Sequence, residues 1–371
     1  MERKLDGTRA QPIIDATPMN LQQLCEATVQ ADASDLILHE GEPVALRVKG
    51  GVARLDANPV SADVLDELWA ACGAGTESRD FDAAFNSLDG RRFRVNLFRH
   101  LGRRGAVLRY VRSEIWDLDH LGVPAHLLRD WLSRKSGILL VTGPAGSGKS
   151  TTLAACLEEI NESSARHIVT IEDPIEFVFR ENNCVFTQRE VGIDTPTFAD
   201  GLRQALRQAP DVLFIGEIRD ADSAVTAIHA SETGHLVLAT IHGADSADAL
   251  ERMSQLLPEA ERRMLGRVFA SQLLGVLAQR LLPTVDDDFT LAVEYFVNAG
   301  AARTFIEEGR ASDLRDFIDR STTGSSQSLL RSVTELCRAG RVSEQIALSV
   351  VDKPGELTRA LRGISSVTAR R

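Results

Sequence analysis

Residues 143–150 read Gly-Pro-Ala-Gly-Ser-Gly-Lys-Ser, the spacing G-x-x-x-x-G-K-[ST] of a phosphate-binding loop. The run before it, Gly137-Ile138-Leu139-Leu140-Val141-Thr142, is apolar and strand-length; the run after it, Thr151 to Leu157, begins a helical pattern. Strand, glycine-rich loop and helix in that order point to an α/β fold with an anion site at the strand's carboxyl end. The small residues Gly143, Pro144, Ala145, Gly146, Ser147 and Gly148 let the backbone curl until successive N–H groups face one anion. The helix that opens at Lys149, Ser150 and Thr151 offers its positive end to the same phosphates. Lys149 is expected to reach the β- and γ-phosphates of a bound nucleotide, and Ser150 to ligate Mg²⁺. The alternative is a glycine-rich turn without a ligand, which the flanking strand and helix disfavour.

A chain of 371 residues has room for two domains. Hydrophobic residues make up 43% and aromatic ones 5%, so the cores are expected to be aliphatic. The net charge of −11 argues against non-specific coating of nucleic acid, and no direct nucleic-acid partner is expected. A local concentration of arginine from Arg91 to Arg112 stands against that acidic background. None of the five cysteines (Cys25, Cys72, Cys156, Cys184, Cys337) sits in a C-x-x-C pair, so buried thiols are expected rather than a zinc ribbon or disulfide framework. The first residues lack an apolar signal core, and the longest apolar runs are strand-length. These features predict no membrane insertion and a cytoplasmic protein, peripheral to a membrane only through partners.

The pattern along the chain divides it into five parts. Residues 1–18 read as a loose lead-in. Residues 19–113 read as an α+β unit of short, largely antiparallel strands with helices near 20–31 and 62–71. Its strands Phe93–Phe98 and Ala106–Val111 are joined by Gly102-Arg103-Arg104-Gly105. Residues 114–124 read as a linker. From 125 to 298, strands at 138–142, 167–171, 212–215 and 236–241 alternate with helices, which implies a mostly parallel sheet covered on both faces. Residues 299–371 read as a helical C-terminal region.

Two apolar strands end in acids. Asp211-Val212-Leu213-Phe214-Ile215 leads to Gly216-Glu217, and a carboxylate there can hold Mg²⁺ or its water shell beside Ser150. His167-Ile168-Val169-Thr170-Ile171 leads to Glu172-Asp173-Pro174, where a carboxylate on a turn could act as general base toward water. Each acid alone could be a solvated cap or loop residue. Together with the phosphate loop they favour hydrolysis of a nucleoside triphosphate. The strand His235–His242 carries a histidine at each end, roughly 20 Å apart at strand rise, so both cannot reach one phosphate. His242 lies at the ligand end and could polarise the γ-phosphate. His235 is expected to organise a helix or a subunit contact.

Motifs in this order resemble the secretion and type IV pilus ATPase superfamily, and within it the twitching-motility retraction ATPases, the PilT family. They include Ala33–Leu38, Arg92–Asn96, the phosphate loop and the acidic box Ile171–Phe177. Gln188–Gly192, Ala205–Gln208, Gly216–Asp220 and the histidine box Glu232–His242 follow. The resemblance implies a PAS-like N-terminal domain, a RecA-like P-loop ATPase domain and a homohexameric motor. ATP would sit at a domain and subunit interface, and hydrolysis would drive pilus retraction through an inner-membrane platform protein, with a paralogous ATPase as a further partner. It implies that Glu172 is the catalytic base, that Glu217 is the Walker B acid, and that Arg94 and Arg109 contact the phosphates. Strand-face arginines paired with acids are the other reading of that pair. The four-cysteine zinc insertion of the extension and type II branch is missing. The histidine box continues His242-Gly243-Ala244 instead of His-Thr-Asn, and Ala301–Glu308 keeps only part of the retraction family's A-I-R-N-L-I-R-E signature. An accessory subunit with weak hydrolysis of its own, or a secretion motor with the same chemistry, are the alternatives.

Overall fold

In the computed structural model, the described residues are 19–362 apart from 49–50, 56–58, 76–78, 112–113, 287 and 322–323. The expected lead-in, 1–18, lies outside them. Two compact units, divided between Ser113 and Glu114, are taken in turn.

The first unit contains α1 (Leu21–Gln30), β1 (Ala33–His39), β2 (Ala45–Val48), β3 (Gly51–Arg54), α2 (Ala62–Ala71), β4 (Asp80–Asn86), β5 (Arg92–His100) and β6 (Arg103–Tyr110). Asn20 starts α1 with a reciprocal cap: its side chain accepts from Gln23 N at 2.9 Å, and its own N–H donates to Gln23 Oε1 at 3.0 Å. The strands form one antiparallel sheet in the order β3-β2-β1-β6-β5-β4. Leu21, Leu24, Leu65, Leu68 and Trp69 of the helices are buried against Leu36, Leu38, Phe93, Val95 and Leu108 of the strands. The β5–β6 connection is tighter than the sequence suggested. It is the pair Leu101-Gly102, both left-handed (φ 49° and 79°), as a two-residue hairpin turn requires. Gly105 is therefore a strand residue, where a Cβ would lie 2.6 Å from the Phe98 ring.

The second unit opens with a short 3₁₀ turn at Leu118–His120. It continues through α3 (Ala125–Leu132), β7 (Gly137–Thr142), α4 (Lys149–Ser163), β8 (His167–Glu172), β9 (Val185–Glu190), α5 (Phe198–Ala205), β10 (Val212–Ile215), α6 (Ala221–Glu232) and β11 (Leu236–Ile241). Then come α7 (Ser246–Leu256), α8 (Arg262–Gln272), β12 (Leu273–Pro283), β13 (Phe289–Val297), α9 (Ala301–Glu307), α10 (Ala311–Arg320), β14 (Ser326–Gln327), α11 (Leu329–Arg338), α12 (Glu344–Val350) and α13 (Pro354–Leu361). The sheet order is β14-β13-β12-β7-β11-β10-β8-β9; it is parallel from β12 to β9, and β13 and β14 add antiparallel.

Both faces of this sheet are covered, which is why its central strands β7, β10 and β11 are buried along their whole length and do not alternate. Along β7, Ile138 and Leu140 face Leu202, Ile228, Met253 and Phe269 of α5–α8. The intervening Leu139 and Val141 face Leu153, Leu157 and Ile160 of α4 and Trp131 of α3. The sequence reading lacked β9, β12 and β13, and it took residues 299–371 as helical. Ser326 instead pairs with Phe296, and Gln327 with Tyr295.

Candidate nucleotide-binding site

The strands β7, β11, β10 and β8 are neighbours and parallel, so their carboxyl ends open on one side. Residues 143–148 follow β7, Glu172 is the last residue of β8, Glu217 stands two residues beyond β10, and His242 follows β11. Ala145–Thr151, Glu172, Glu217 and His242 all line one cleft of about 530 Å³, together with Asp173, Glu176, Arg219 and Thr240. In a doubly wound sheet this is where ligands bind.

The loop needs its glycines. Gly143, Gly146 and Gly148 have φ of 145°, 75° and 86°, values that side chains resist. At Gly143 there is also no room: a Cβ would sit 2.4 Å from Gln279 O and 2.6 Å from Ser147 Oγ. Gly143→Ala is therefore expected to lower stability by about 1–3 kcal/mol, read as a lower midpoint in urea unfolding, with nucleotide affinity lost as well. Gln279, on β12, braces the loop from behind: its backbone meets Gly143 and its Nε2 donates to Thr152 Oγ1 of α4 at 2.7 Å.

Lys149 Nζ donates to Gly143 O and Pro144 O, each at 2.9 Å. Burial holds its pKa below the usual lysine range, with the Glu217 and Glu176 charges working against that shift. Glu172 is 6% exposed. Thr170 Oγ1 donates to its Oε1 at 2.7 Å and Gln188 Nε2 at 3.4 Å. Burial dominates, pushing the Glu172 carboxyl up to about 7. The sequence reading set Glu172 on a turn; it is the final strand residue, paired with Glu190 of β9, and the turn begins at Asp173.

Glu217 is 9% exposed. Arg219 Nε donates to its Oε2 at 2.6 Å, and Arg219 Nη1 reaches Asp173 Oδ2 at 3.4 Å. His242 Nε2 stands 2.7 Å from Glu217 Oε1, yet off the line of a hydrogen bond, so that oxygen has no aligned donor. It keeps acceptor capacity for a cation's water shell. Glu217 with the Ser150 hydroxyl could hold Mg²⁺, whose hard oxygen preferences this set fits. The buried Ser147 Oγ is likewise without a partner, inside the loop.

His235 lies at the opposite end of its strand, where its Nδ1 is 2.9 Å from Ala230 O at the end of α6. Arg94 and Arg109 belong to the first unit, side by side on β5 and β6. Arg109 Nε donates to Asp35 Oδ1 at 2.8 Å, so this arginine is paired with an acid, and Arg47 flanks the same carboxylate at 3.4 Å. Sequence reasoning missed the roles of Thr170, Gln188 and Arg219. Thr170 was accessible: two residues before Glu172 in a strand, it shares that acid's face. Gln188 required recognising β9, with which Thr170 pairs.

A phosphate loop facing two strand-end carboxylates defines a P-loop nucleotide hydrolase. Residues 87–349 match the model of the Type II/IV secretion system protein family, and the chain belongs to that family. It is 33% identical over 346 residues to the type IV pilus ATPase PilU of Pseudomonas aeruginosa, covering 91% of this chain and 90% of the relative. It is 34% identical over 335 residues to the type IV pilus retraction ATPase PilT of the same organism, covering 89% and 97%. The crystal structure of the pilus retraction motor PilT with bound ADP superposes with a TM-score of 0.82 at 34% identity, covering 92% of this chain and 99% of that one. The chain is accordingly an ATP-hydrolysing enzyme of the PilT-like type. Among the described residues no helix is long and apolar enough to cross a membrane.

Proposed function

We propose that this protein is a Mg²⁺-dependent ATPase motor for type IV pilus retraction, working as a homohexamer against an inner-membrane platform protein, in the cytoplasm and peripheral to that membrane. The observation that carries the chemistry is the convergence of Lys149, Glu172, Glu217 and His242 on one cleft. In this reading the first unit is PAS-like and the second RecA-like.

Lys149 exchanges its two loop carbonyls for the β- and γ-phosphate oxygens. Backbone N–H groups of residues 145–151 and the amino end of α4 hold the remaining phosphate charge. Ser150 and Glu217 would hold Mg²⁺, which when bound would neutralise charge on the phosphoryl oxygens. Glu172 removes a proton from water as its oxygen bonds to the γ-phosphorus, and the bond from that phosphorus to the ADP oxygen breaks. Thr170 and Gln188 keep the Glu172 carboxylate aimed. His242 polarises the γ-phosphate. The resemblance assigns Arg94 and Arg109 a phosphate contact that would add guanidinium charge, and Arg109 would have to leave Asp35 to make it.

A base must be ionised to work. With its carboxyl near 7, kcat is expected to be low at pH 6 and to rise through pH 7 to a plateau, in a pH series of steady-state turnover. A profile flat from pH 5.5 to 8 would remove Glu172 as the base. The function as a whole is tested by steady-state ATPase measurement with the oligomer mass determined in parallel. The expected result is Mg²⁺-dependent turnover at a mass near six times 40.5 kDa. Background turnover in a folded assembly would instead indicate the accessory role.

A further inference from the structure

Between β11 and α7, residues 243–245 carry the chain away from His242, and this short loop is held from several sides. Thr142 Oγ1, at the end of β7, donates to Gly243 O at 3.2 Å. Ala244 N donates to Asp248 Oδ2 at 2.7 Å, and Ser246 N to the buried Glu294 Oε1 of β13 at 2.9 Å. Gly243 has no space for a side chain: a Cβ would lie 2.7 Å from Thr142 Oγ1 and 2.9 Å from Ala249 N.

A further hold comes from outside the ATPase sheet. Arg315 on α10 donates through Nε to Asp245 Oδ2 at 2.9 Å and through Nη2 to Asp245 Oδ1 at 3.1 Å. This is a two-pronged, charge-assisted pair of fixed direction. The same aspartate caps α7 by accepting from Asp248 N at 2.8 Å. Burial, and after it the Asp245 charge, raises the pKa of Glu294, and the Arg315 guanidinium interacts with both carboxylates. Further along, Lys353 at the start of α13 bonds Asp319 of α10 at 2.9 Å, tying the last helices to the same element. Arg315 does not line the nucleotide cleft, but the loop it grips leads directly to His242, which stands 2.7 Å from Glu217.

We propose that Arg315 is a positioning residue of the ATPase site. By clamping Asp245 it fixes the loop that sets the His242 imidazole against Glu217, so the C-terminal helices control turnover without touching nucleotide. The proposal rests on the reading that His242 and Glu217 serve hydrolysis.

The test uses the full chain carrying Arg315→Ala, Arg315→Lys, Asp245→Asn (which keeps a capping oxygen) and the Ala/Asn double variant. Steady-state kcat, KM for ATP and thermal unfolding are measured for each. Loss of one fixed contact behind a catalytic group is expected to lower kcat of Arg315→Ala about tenfold. KM is expected to stay within about twofold, because phosphate binding is untouched. Arg315→Lys should recover part of kcat, and the double variant should be no slower than the slower single, as for two ends of one contact. Wild-type kcat in folded Arg315→Ala overturns the proposal. So do multiplicative losses in the double variant, or losses of kcat, KM and melting temperature together without rescue by lysine, which mark a merely structural pair. A wild-type chain with no turnover at all overturns the functional reading and this inference with it; an active wild type beside an equally active Arg315→Ala overturns this inference alone.

Discussion

Lys149→Ala is expected to reduce ATP turnover by about 10²–10³-fold, the usual cost of removing one preorganised charge from a phosphoryl-transfer site. It is the only lysine among the cleft's lining residues, and the two carbonyls that now accept from it would be left for water. Its loss removes charge that balances the triphosphate in both ground and transition states. Nucleotide affinity should therefore fall along with kcat, which titration with a fluorescent ATP analogue measures. The fold should survive, because the lysine sits at the start of α4 and contributes no apolar contact to the core clusters. Turnover within about threefold of wild type would place hydrolysis outside this loop.

Glu172→Gln separates chemistry from binding. The amide keeps the shape and the contacts to Thr170 and Gln188 but cannot accept the water's proton. Turnover is expected to drop by about 10²–10⁴-fold, the range for losing a general base, while nucleotide affinity stays near wild type. Stability moves the other way. The folded-state carboxyl near 7 lies above its ordinary 4.5 because burial disfavours the charge. The folded protein thus favours the protonated form, and stability falls as pH rises from about 4.5 through 7. Glutamine mimics the neutral acid, so Glu172→Gln should melt above wild type at pH 8 and close to it at pH 4.5. Equal melting at both values would show that the carboxylate is not held in a water-poor site.

The elements that a sequence displays are those whose signal is local. β7, β10 and β11 are short apolar runs bounded by polar residues, and Lys149, Glu172, Glu217 and His242 stand out because each follows or ends such a run. β12 reads Leu-Leu-Gly-Val-Leu-Ala-Gln-Arg-Leu-Leu-Pro. Its leucines at 273, 274, 277 and 281 also fit a helix, and only pairing with β7 and β13 decides. β9, Val-Phe-Thr-Gln-Arg-Glu, is a polar edge strand with no buried stripe to mark it. The Arg219 bridge to Asp173, the Gln279 brace behind Gly143 and the Arg315 grip on Asp245 join segments 46 to 136 residues apart in sequence. Such contacts exist only after the chain has folded. So too with the raised Glu172 carboxyl, since nothing in Thr-Ile-Glu-Asp announces burial.

The most direct measurement is a structure of the assembled protein with Mg²⁺ and a non-hydrolysable ATP analogue. The account predicts the γ-phosphate within about 3 Å of Lys149 Nζ, the metal on the Ser150 and Glu217 side, and an ordered water hydrogen-bonded to Glu172 and in line with the γ-phosphorus. A triphosphate seated away from residues 143–151, or a γ-phosphate that no water links to Glu172, would contradict it.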